Sequence, residues 1–242
     1  MPSFEVLLPV GAIALYLYDS AQGLYGDEFV IERRRSGWRV SAGAGLLLAG
    51  RRPHLPNPFT PDALMFRVRW DRANDDGTLG ADDVDTMSGL LRLPRLVVIA
   101  QLLLLAAALP VVSILLGAGA TLLGLFALYY LLTFVALVAL FRARAGLRLS
   151  GRQFAVLAFE SVACAPFAPN LVRKVALLQS GRLRWVEVAA AFDEPERRKL
   201  GALLGASIAS ALVIEGTGTA RAEHLDALRV TLGDRLGVAV SR

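Results

Sequence analysis

The chain has 242 residues, of which 55% are hydrophobic and only 19% are charged, and its mean hydropathy is +0.52. Because soluble domains carry about 25% charged residues, this composition is typical of a membrane protein. The net charge of +5 would also suit a nucleic-acid-binding protein, but membrane proteins need arginines to orient their loops, and we expect no nucleic-acid partner. A single cysteine excludes an internal disulfide and any multi-cysteine zinc site. All basic residues but two are arginine, which favours a bacterial source.

Residues 1–25 contain an uncharged apolar run over residues 6–18, which is shorter than the roughly 20 residues of a membrane span. Extending the run to Tyr25 reaches spanning length and includes Asp19. No basic residue precedes the run and no A-x-A site follows it, so we do not expect a signal peptide. The pattern predicts a third membrane helix with its N-terminus outside, and an interfacial helix or a buried strand remains an alternative.

Residues 26–72 change from a helical to an extended pattern and predict a small cytoplasmic β region. The segment EFVIERRRSGWRV indicates two strands around Ser36 and Gly37. GLLLAG and LMFRVRW indicate two more, separated by the proline-rich connector RRPHLPNPFTP. In FRVRW the apolar side chains alternate with two arginines, which is typical of a strand with one buried face. We therefore expect a small antiparallel sheet near the membrane.

Residues 73–94 form an acidic, turn-rich linker. If Gly77 were the glycine of a calcium loop, then Asn74, Asp76 and Asp83 would fall at ligand positions, but Arg72 would take the first one. Because a cation at that position repels calcium, a solvated linker is the favoured interpretation and no metal site is expected.

Residues 95–141 predict a transmembrane helical hairpin. Leu96–Leu116 and Ala120–Phe141 are uncharged, and at 1.5 Å per residue each would span roughly 30 Å of hydrocarbon. Arginines flank both ends of the hairpin and its turn is uncharged, which places both flanks on the cytoplasmic side. We expect Pro110 to bend the first helix. The absence of ionisable residues from both spans argues against a proton-coupled transporter.

Residues 142–242 predict a helical cytoplasmic domain. Its expected N-caps are Ser150, Asn170 and Asp193, the last in a capping box with Glu196. The final helix is expected to end at Gly237. The apolar run over residues 200–214 is short for a span and predicts the core helix of this domain.

The stretch FESVACAPFAPNLVRK, residues 159–174, combines a carboxylate, the only cysteine, two prolines and two cations. On a helix Glu160 would share a face with Cys164 and raise the pKa of its thiol, so the stretch does not favour a reactive cysteine. We expect a corner between two helices with a buried Cys164, and with Arg173 and Lys174 facing lipid headgroups or a partner.

No motif predicts catalysis or a cofactor. The glycine-rich segments lack the spacing of phosphate-binding loops, and Ser207 lies in a helical pattern rather than a nucleophile elbow. The two histidines, His54 and His224, are distant in sequence and are expected to be solvated. The sequence therefore favours a non-enzymatic protein without metal or cofactor.

The predicted fold is an α-helical polytopic protein of the bacterial inner membrane with a small antiparallel β region. Its expected function is to dock a partner protein or the lipid surface as a scaffold. The residues predicted to contact anionic lipid headgroups or a partner are Arg33, Arg34, Arg35, Arg67, Arg69, Arg173 and Lys174.

Two alternative functions remain open. Hairpins that form a homo-oligomer through Gly124 and Gln101 would make a small transporter or channel subunit. A membrane-bound enzyme would act on lipid-linked substrates through residues such as Glu160, Asn170 and Arg173.

Overall fold

A computed structural model describes residues 4–71, 77–115, 119–215 and 219–237, and 67% of these residues are helical. The chain divides into two compact units. Unit 1 comprises Met1–Ala21, Leu55–Leu64 and Asp85–Ala176, and unit 2 comprises Gln22–His54, Met65–Val84 and Leu177–Arg242. Each unit is assembled from three separate stretches of the chain.

Unit 1 contains two helices that are long and apolar enough to cross a membrane, Arg92–Leu115 and Ala120–Ala143. The first consists of α3 (Arg92–Leu103), a π-helical turn (Leu104–Ala108) and α4 (Leu109–Leu115), and the second is α5. The two predicted apolar helices are thereby confirmed. Helix α2 (Ala81–Leu90) precedes them where a solvated linker was predicted, and Asp83 accepts the Gly80 N–H at its start. Arg72, Asn74 and Asp76 of the calcium-loop hypothesis lie outside the described residues.

The expected bend at Pro110 takes the form of the π-helical turn just before it. Proline has no N–H to donate and its ring crowds the carbonyl four residues earlier. That carbonyl belongs to Ala106, inside the π-helical turn. The extra residue of a π turn relieves this clash, and such turns are a recognised cause of helix distortion.

The remaining helices of unit 1 follow the predicted bounds in part, since the N-terminal helix ends at Ser20 and does not continue to Tyr25. Helix α1 (Phe4–Ser20) excludes the buried strand considered for this segment. Ser150 forms a capping box with Gln153 at the start of α6 (Gly151–Ala163), as its sequence position predicts. A 3₁₀ helix (Ala165–Asn170) and α7 (Leu171–Leu178) follow. Asn170 does not cap α7, because its side chain makes other hydrogen bonds that are described below.

Unit 2 contains two small antiparallel sheets. Strands β2 (Glu28–Arg34) and β3 (Gly37–Ser41) form the predicted hairpin around Ser36 and Gly37. With β5 (Leu64–Arg69) they make a sheet of order β3-β2-β5. Strands β1 (Gln22–Leu24) and β4 (Arg52–His54) make a second sheet that the sequence patterns did not indicate. The predicted alternation in β5 is confirmed, since Phe66, Val68 and Trp70 are buried and Arg69 is exposed.

The segment GLLLAG is a loop and not the predicted strand. Ala49 and Gly50 have φ angles of 49° and 75°, and Gly43 before them has a φ of 80°. Extended strands require negative φ, so the chain turns back on itself here.

The helices of unit 2 follow its strands. A short 3₁₀ helix (Ser180–Arg182) precedes α8 (Trp185–Ala190), α9 (Glu194–Glu215) and α10 (Ala220–Leu236). Asp193 accepts the Glu196 N–H as predicted, but the Glu196 carboxylate accepts the Val40 N–H of β3 instead of completing the capping box. Helix α9 buries Leu200, Leu204 and Ile208, which agrees with its prediction as a core helix. Gly237, with a φ of 61°, ends α10.

Candidate functional site

The most polar part of unit 1 surrounds Arg173 on α7, whose side chain is only 2% exposed. Its Nη2 donates hydrogen bonds to the carbonyl oxygens of Asn57 and Thr60, at 2.6 and 2.8 Å, and its Nη1 donates to Asn170 Oδ1 at 3.1 Å. The planar guanidinium can serve several acceptors at once, which lets one side chain join α7 to the 55–64 segment. Arg173 is therefore an internal residue, and the prediction that it faces headgroups or a partner is wrong.

Asn170 links this arginine to the end of α1. Its Nδ2 donates to the carbonyl oxygen of Tyr16 at 3.2 Å and to Asp19 Oδ2 at 3.0 Å, and the Ser20 hydroxyl lies 3.0 Å from its Oδ1. The Tyr16 hydroxyl donates to the Pro58 carbonyl at 2.6 Å. The Asn170 side chain therefore binds the end of α1 instead of capping α7.

Lys174 is also occupied within unit 1. Its Nζ lies 2.8 Å from a carboxylate oxygen of Asp19 and 2.8 Å from one of Glu160, and its side chain is 17% exposed. It also lies 4.9 Å from the centre of the Phe167 ring. Lys174 thus forms two ion pairs and a cation–π contact within unit 1, and its contact with headgroups or a partner stays a prediction.

Cys164 lies between α6 and the 3₁₀ helix and is only partly buried. Burial raises the pKa of its thiol, and Asp19 adds to that effect while Lys174 opposes it. A thiol held in its protonated form is a poor nucleophile, as the sequence predicted. The carboxylate responsible is Asp19 of α1 and not the predicted Glu160, whose charge is paired with Lys174.

Helix α6 returns along α5 in the opposite direction. The Phe154 and Phe141 rings are 5.3 Å apart, the Tyr130 hydroxyl lies 3.4 Å from the Val162 carbonyl, and Tyr129 donates to the Ala165 carbonyl at 3.0 Å. Tyr129 is 14 residues from the Ala143 end of α5, a distance of about 20 Å at the usual helical rise. The corner that carries Cys164 and the 3₁₀ helix therefore lies beside the middle of α5.

An apolar groove of about 340 Å³ runs between α1, the Arg92–Leu115 helix and α5. Ala165 and Pro166 of the 3₁₀ helix also contribute to its wall. The other lining residues are Leu7, Leu8, Gly11, Ala12, Leu15, Leu104, Leu105, Leu109, Leu125, Phe126 and Tyr129. Its volume is within the range of about 300 to 1,000 Å³ that is usual for ligand sites, and its lining suits a hydrocarbon.

Each of the two apolar helices has a buried polar residue that faces the other helix, Gln101 on α3 and Thr133 on α5. Gln101 Nε2 donates to Thr133 Oγ1 at 2.7 Å, and both side chains are buried. The Thr133 hydroxyl donates in turn to the Tyr129 carbonyl at 3.0 Å. Gln101 is consequently not available to a second copy of the chain, whereas the space beside Gly124 is open.

The predicted contact residues of unit 2 lie nearer the surface and are mostly paired. Arg34 pairs with Glu32, and Arg67 pairs with Glu28. Arg69 pairs with Asp27 and Asp71. Arg33 stacks 5.2 Å from the centre of the Trp38 ring, and Arg35 is exposed in the turn between β2 and β3. Their exposure leaves the predicted lipid or partner contact open for these five residues.

His54 is buried, not solvated as predicted, because β4 carries it into unit 2. Its Nδ1 lies 3.3 Å from Ser41 Oγ, and its Nε2 lies 3.5 Å from Glu32 Oε1. Burial opposes ionisation of Glu32, but hydrogen bonds from His54 and Arg34 outweigh it and hold the pKa of this carboxyl below its usual range. His224 is exposed on α10 as predicted.

Across residues 4–71, 77–115, 119–215 and 219–237, no three His, Cys, Asp or Glu side chains are arranged to hold a metal ion. Comparison of the chain with known protein families, with curated proteins and with solved structures finds no match. The groove and the polar residues beside it are therefore the candidate functional site.

Proposed function

We propose that the chain is a polytopic integral membrane protein that binds the hydrocarbon chain of a lipid without catalysing a reaction. The observation that carries this proposal is the exposure of its two apolar helices. In the most apolar 18-residue stretch of each helix, only 39% and 28% is buried within the protein, whereas the core helix of a soluble protein is mostly buried. Such extended apolar surface requires either lipid or another protein to cover it.

The side chains on the outer faces of these helices support a lipid environment. Leu103, Leu115, Leu123 and Phe134 are each more than 60% exposed. The polar pair of Gln101 and Thr133 is turned inward. Apolar residues outside and hydrogen-bonded polar residues inside are the pattern expected of helices in a bilayer.

The proposed location is the bacterial cytoplasmic membrane, with both flanks of the hairpin and the C-terminal region in the cytoplasm. Arg92 and Arg95 lie in the first turn of the first helix, and Arg142 and Arg144 lie at the end of the second, which agrees with the positive-inside rule. In this arrangement α1 is a third membrane segment with its N-terminus outside. Its 17 residues are short for a full span, and it packs against α4 and the π-helical turn.

The same arrangement makes the corner after α6 a re-entrant element. If α5 crosses the bilayer, its contacts with α6 place Ala165 about 20 Å in from the Ala143 end. Irregular backbone is tolerated at that depth only inside protein or beside a cavity. Here Ala168, Pro169 and Asn170 of the 3₁₀ helix are buried, and Ala165 and Pro166 line the groove.

The groove is the proposed binding site for one lipid hydrocarbon chain. Its walls come from three helices whose outer faces are apolar, so the surrounding bilayer would supply the ligand directly. Partner docking through unit 2 is compatible with this role. The enzyme alternative has less support, because Asn170 and Arg173 are buried and bound to other groups of unit 1. The channel alternative loses Gln101 as an intermolecular contact and retains only Gly124.

The groove proposal is tested by filling the groove. Ala12 lines it, whereas Ala14 is an exposed residue of the same helix that does not. We expect native mass spectrometry of the gently extracted protein to show a retained lipid in the wild type and in Ala14→Phe. Ala12→Phe should retain less lipid than either of these two proteins. A wild-type protein without retained lipid, or equal retention in the two variants, would show that the groove is not a lipid site.

A further inference from the structure

Three consecutive leucines project from the surface of unit 2. Leu46, Leu47 and Leu48 are 56%, 62% and 59% exposed. Single exposed apolar residues are common on protein surfaces, but a contiguous group of large ones marks an interaction site. They belong to the connection between β3 and β4, residues 42–51, which we call the leucine loop.

Backbone hydrogen bonds hold the leucine loop in a hairpin conformation. The Ala44 N–H donates to the Pro53 carbonyl at 2.8 Å, and Leu48 and Arg51 exchange two hydrogen bonds of 2.8 and 3.0 Å. Positive φ angles at Ala49 and Gly50 suit the two-residue turn that joins the latter pair. The leucines are thus displayed by an ordered turn, which lowers the entropy lost when they are buried.

Two arginines, Arg51 and Arg52, follow the leucines after the turn residues Ala49 and Gly50. Within the part of the chain that the structure describes, neither Arg51 nor Arg52 has a carboxylate at ion-pair distance. The Arg51 guanidinium lies 4.8 Å from the centre of the Tyr25 ring and donates to the Tyr25 hydroxyl at 2.7 Å. Tyr25 is itself 44% exposed. Tyrosine and arginine together are characteristic of the level of the lipid headgroups.

We propose that the leucine loop inserts into the surface of a bilayer that contains anionic lipids. The leucines would lie among the first carbons of the acyl chains, and Arg51 and Arg52 would lie at the headgroup phosphates. The loop presents exposed leucines beside two cations that have no carboxylate partner, and the surface of a bilayer with anionic lipids offers acyl chains beside headgroup phosphates. This match favours a membrane over a protein partner as the occupant of the loop.

The inference concerns a different surface from the groove and rests on the proposed membrane location. It is tested on the full chain by site-specific fluorescence. In a Cys164→Ser background, an environment-sensitive dye is attached to Leu47→Cys, and the protein is reconstituted in nanodiscs of phosphatidylcholine with phosphatidylglycerol. Some of the lipids carry a nitroxide quencher near the start of their acyl chains, because interfacial segments bury only about 5 to 10 Å into this region.

Two labelled controls separate the possible causes of failure. Ser36→Cys lies in the exposed polar turn between β2 and β3 of the same unit, and Leu123→Cys lies on the exposed apolar face of α5. We expect the dye at Leu47→Cys and at Leu123→Cys to lose most of its fluorescence, and the dye at Ser36→Cys to keep it. In pure phosphatidylcholine the quenching at Leu47→Cys should decrease.

Three other results would each contradict a stated part of the inference. Quenching at Leu123→Cys but not at Leu47→Cys would leave the membrane location intact and overturn insertion of the loop, in favour of a protein partner. Absence of quenching at both positions would overturn the membrane location itself. Equal quenching at Leu47→Cys in anionic and neutral nanodiscs would overturn the role of Arg51 and Arg52.

Discussion

The two units use their basic residues in opposite ways. In unit 1, Arg173 and Lys174 bind carbonyl, carboxylate, amide and hydroxyl oxygens, which lie as far as 157 residues away in the sequence. In unit 2, Arg34 and Arg69 each pair with an acidic residue two positions away, and the more exposed Arg69 also pairs with Asp27. A basic residue near an apolar helix is therefore not necessarily a headgroup contact. Its role depends on which acceptors the fold brings to it.

The largest expected effect is the loss of the Arg173 side chain. Arg173→Met would leave the carbonyls of Asn57 and Thr60 without their donor inside unit 1. A buried acceptor left without its donor costs about 1 to 3 kcal/mol, and two carbonyls lose theirs here. We expect a much lower melting temperature in detergent, measured by circular dichroism of the mostly helical chain, and poor accumulation in membranes.

Arg173→Lys is the matched variant, because it keeps the charge but cannot serve several acceptors with a planar group. Its melting temperature should lie between those of the wild type and Arg173→Met. A melting temperature for Arg173→Met equal to that of the wild type would contradict the internal role of this arginine.

A smaller effect is expected at the neutral pair between the apolar helices. Gln101 and Thr133 are joined by a 2.7 Å hydrogen bond. Side-chain hydrogen bonds between membrane helices contribute about 0.6 kcal/mol on average and about 1.7 kcal/mol at most. A double-mutant cycle with Gln101→Leu and Thr133→Val, measured by unfolding in mixed micelles, should return a coupling energy in this range.

Thr121 provides the control for that cycle, since it lies on α5 with its side chain exposed. Thr121→Val should show no coupling to Gln101→Leu. If the Gln101 and Thr133 variants were additive as well, the hydrogen bond would not contribute to helix association.

Much of the local structure could be predicted from the sequence, because its determinants are local. The turn at Ser36 and Gly37, the cap at Ser150 and the helix end at Gly237 depend on residues within one or two turns of the chain. The two apolar helices follow from composition alone. Each of these features is encoded by residues that are neighbours in sequence.

The polar surroundings of Arg173 could not be predicted, because they depend on distant segments. Asn170 has the identity and position of an N-cap, yet the end of α1 supplies better partners for it. No local pattern points to Asp19, Asn57 or Thr60 as neighbours of α7. The leucines of GLLLAG have strand propensity, but glycines with positive φ turn the chain there.

Glu32 of unit 2 is a buried carboxylate with partners on two sides. A carboxyl whose pKa is lowered by folding stabilises the protein above its unfolded pKa, and this contribution is lost as the pH falls through the folded value. We therefore expect unit 2 to lose stability as the pH falls below the ordinary value of 4.5 for Glu32. In Glu32→Gln this part of the pH dependence should disappear, and stability at neutral pH should be lower.

Tryptophan fluorescence is a suitable measurement for Glu32, because Trp38, Trp70 and Trp185 all belong to unit 2. Thermal unfolding would be followed at several pH values for both proteins. Identical slopes of stability against pH in the wild type and in Glu32→Gln would contradict the lowered pKa.

The smallest effect is expected at Arg69, an exposed arginine of unit 2 that is compared with the buried Arg173 of unit 1. Its side chain is 45% exposed and pairs with Asp27 and Asp71. Exposed ion pairs contribute about 0 to 1 kcal/mol, because water already solvates both charges and the long side chain loses freedom when it is held. Arg69→Gln should therefore leave the unfolding followed by tryptophan fluorescence almost unchanged, in contrast to Arg173→Met. A destabilisation by Arg69→Gln as large as that caused by Arg173→Met would mean that exposure does not separate the two classes of arginine, and that the pairs of unit 2 hold its fold together.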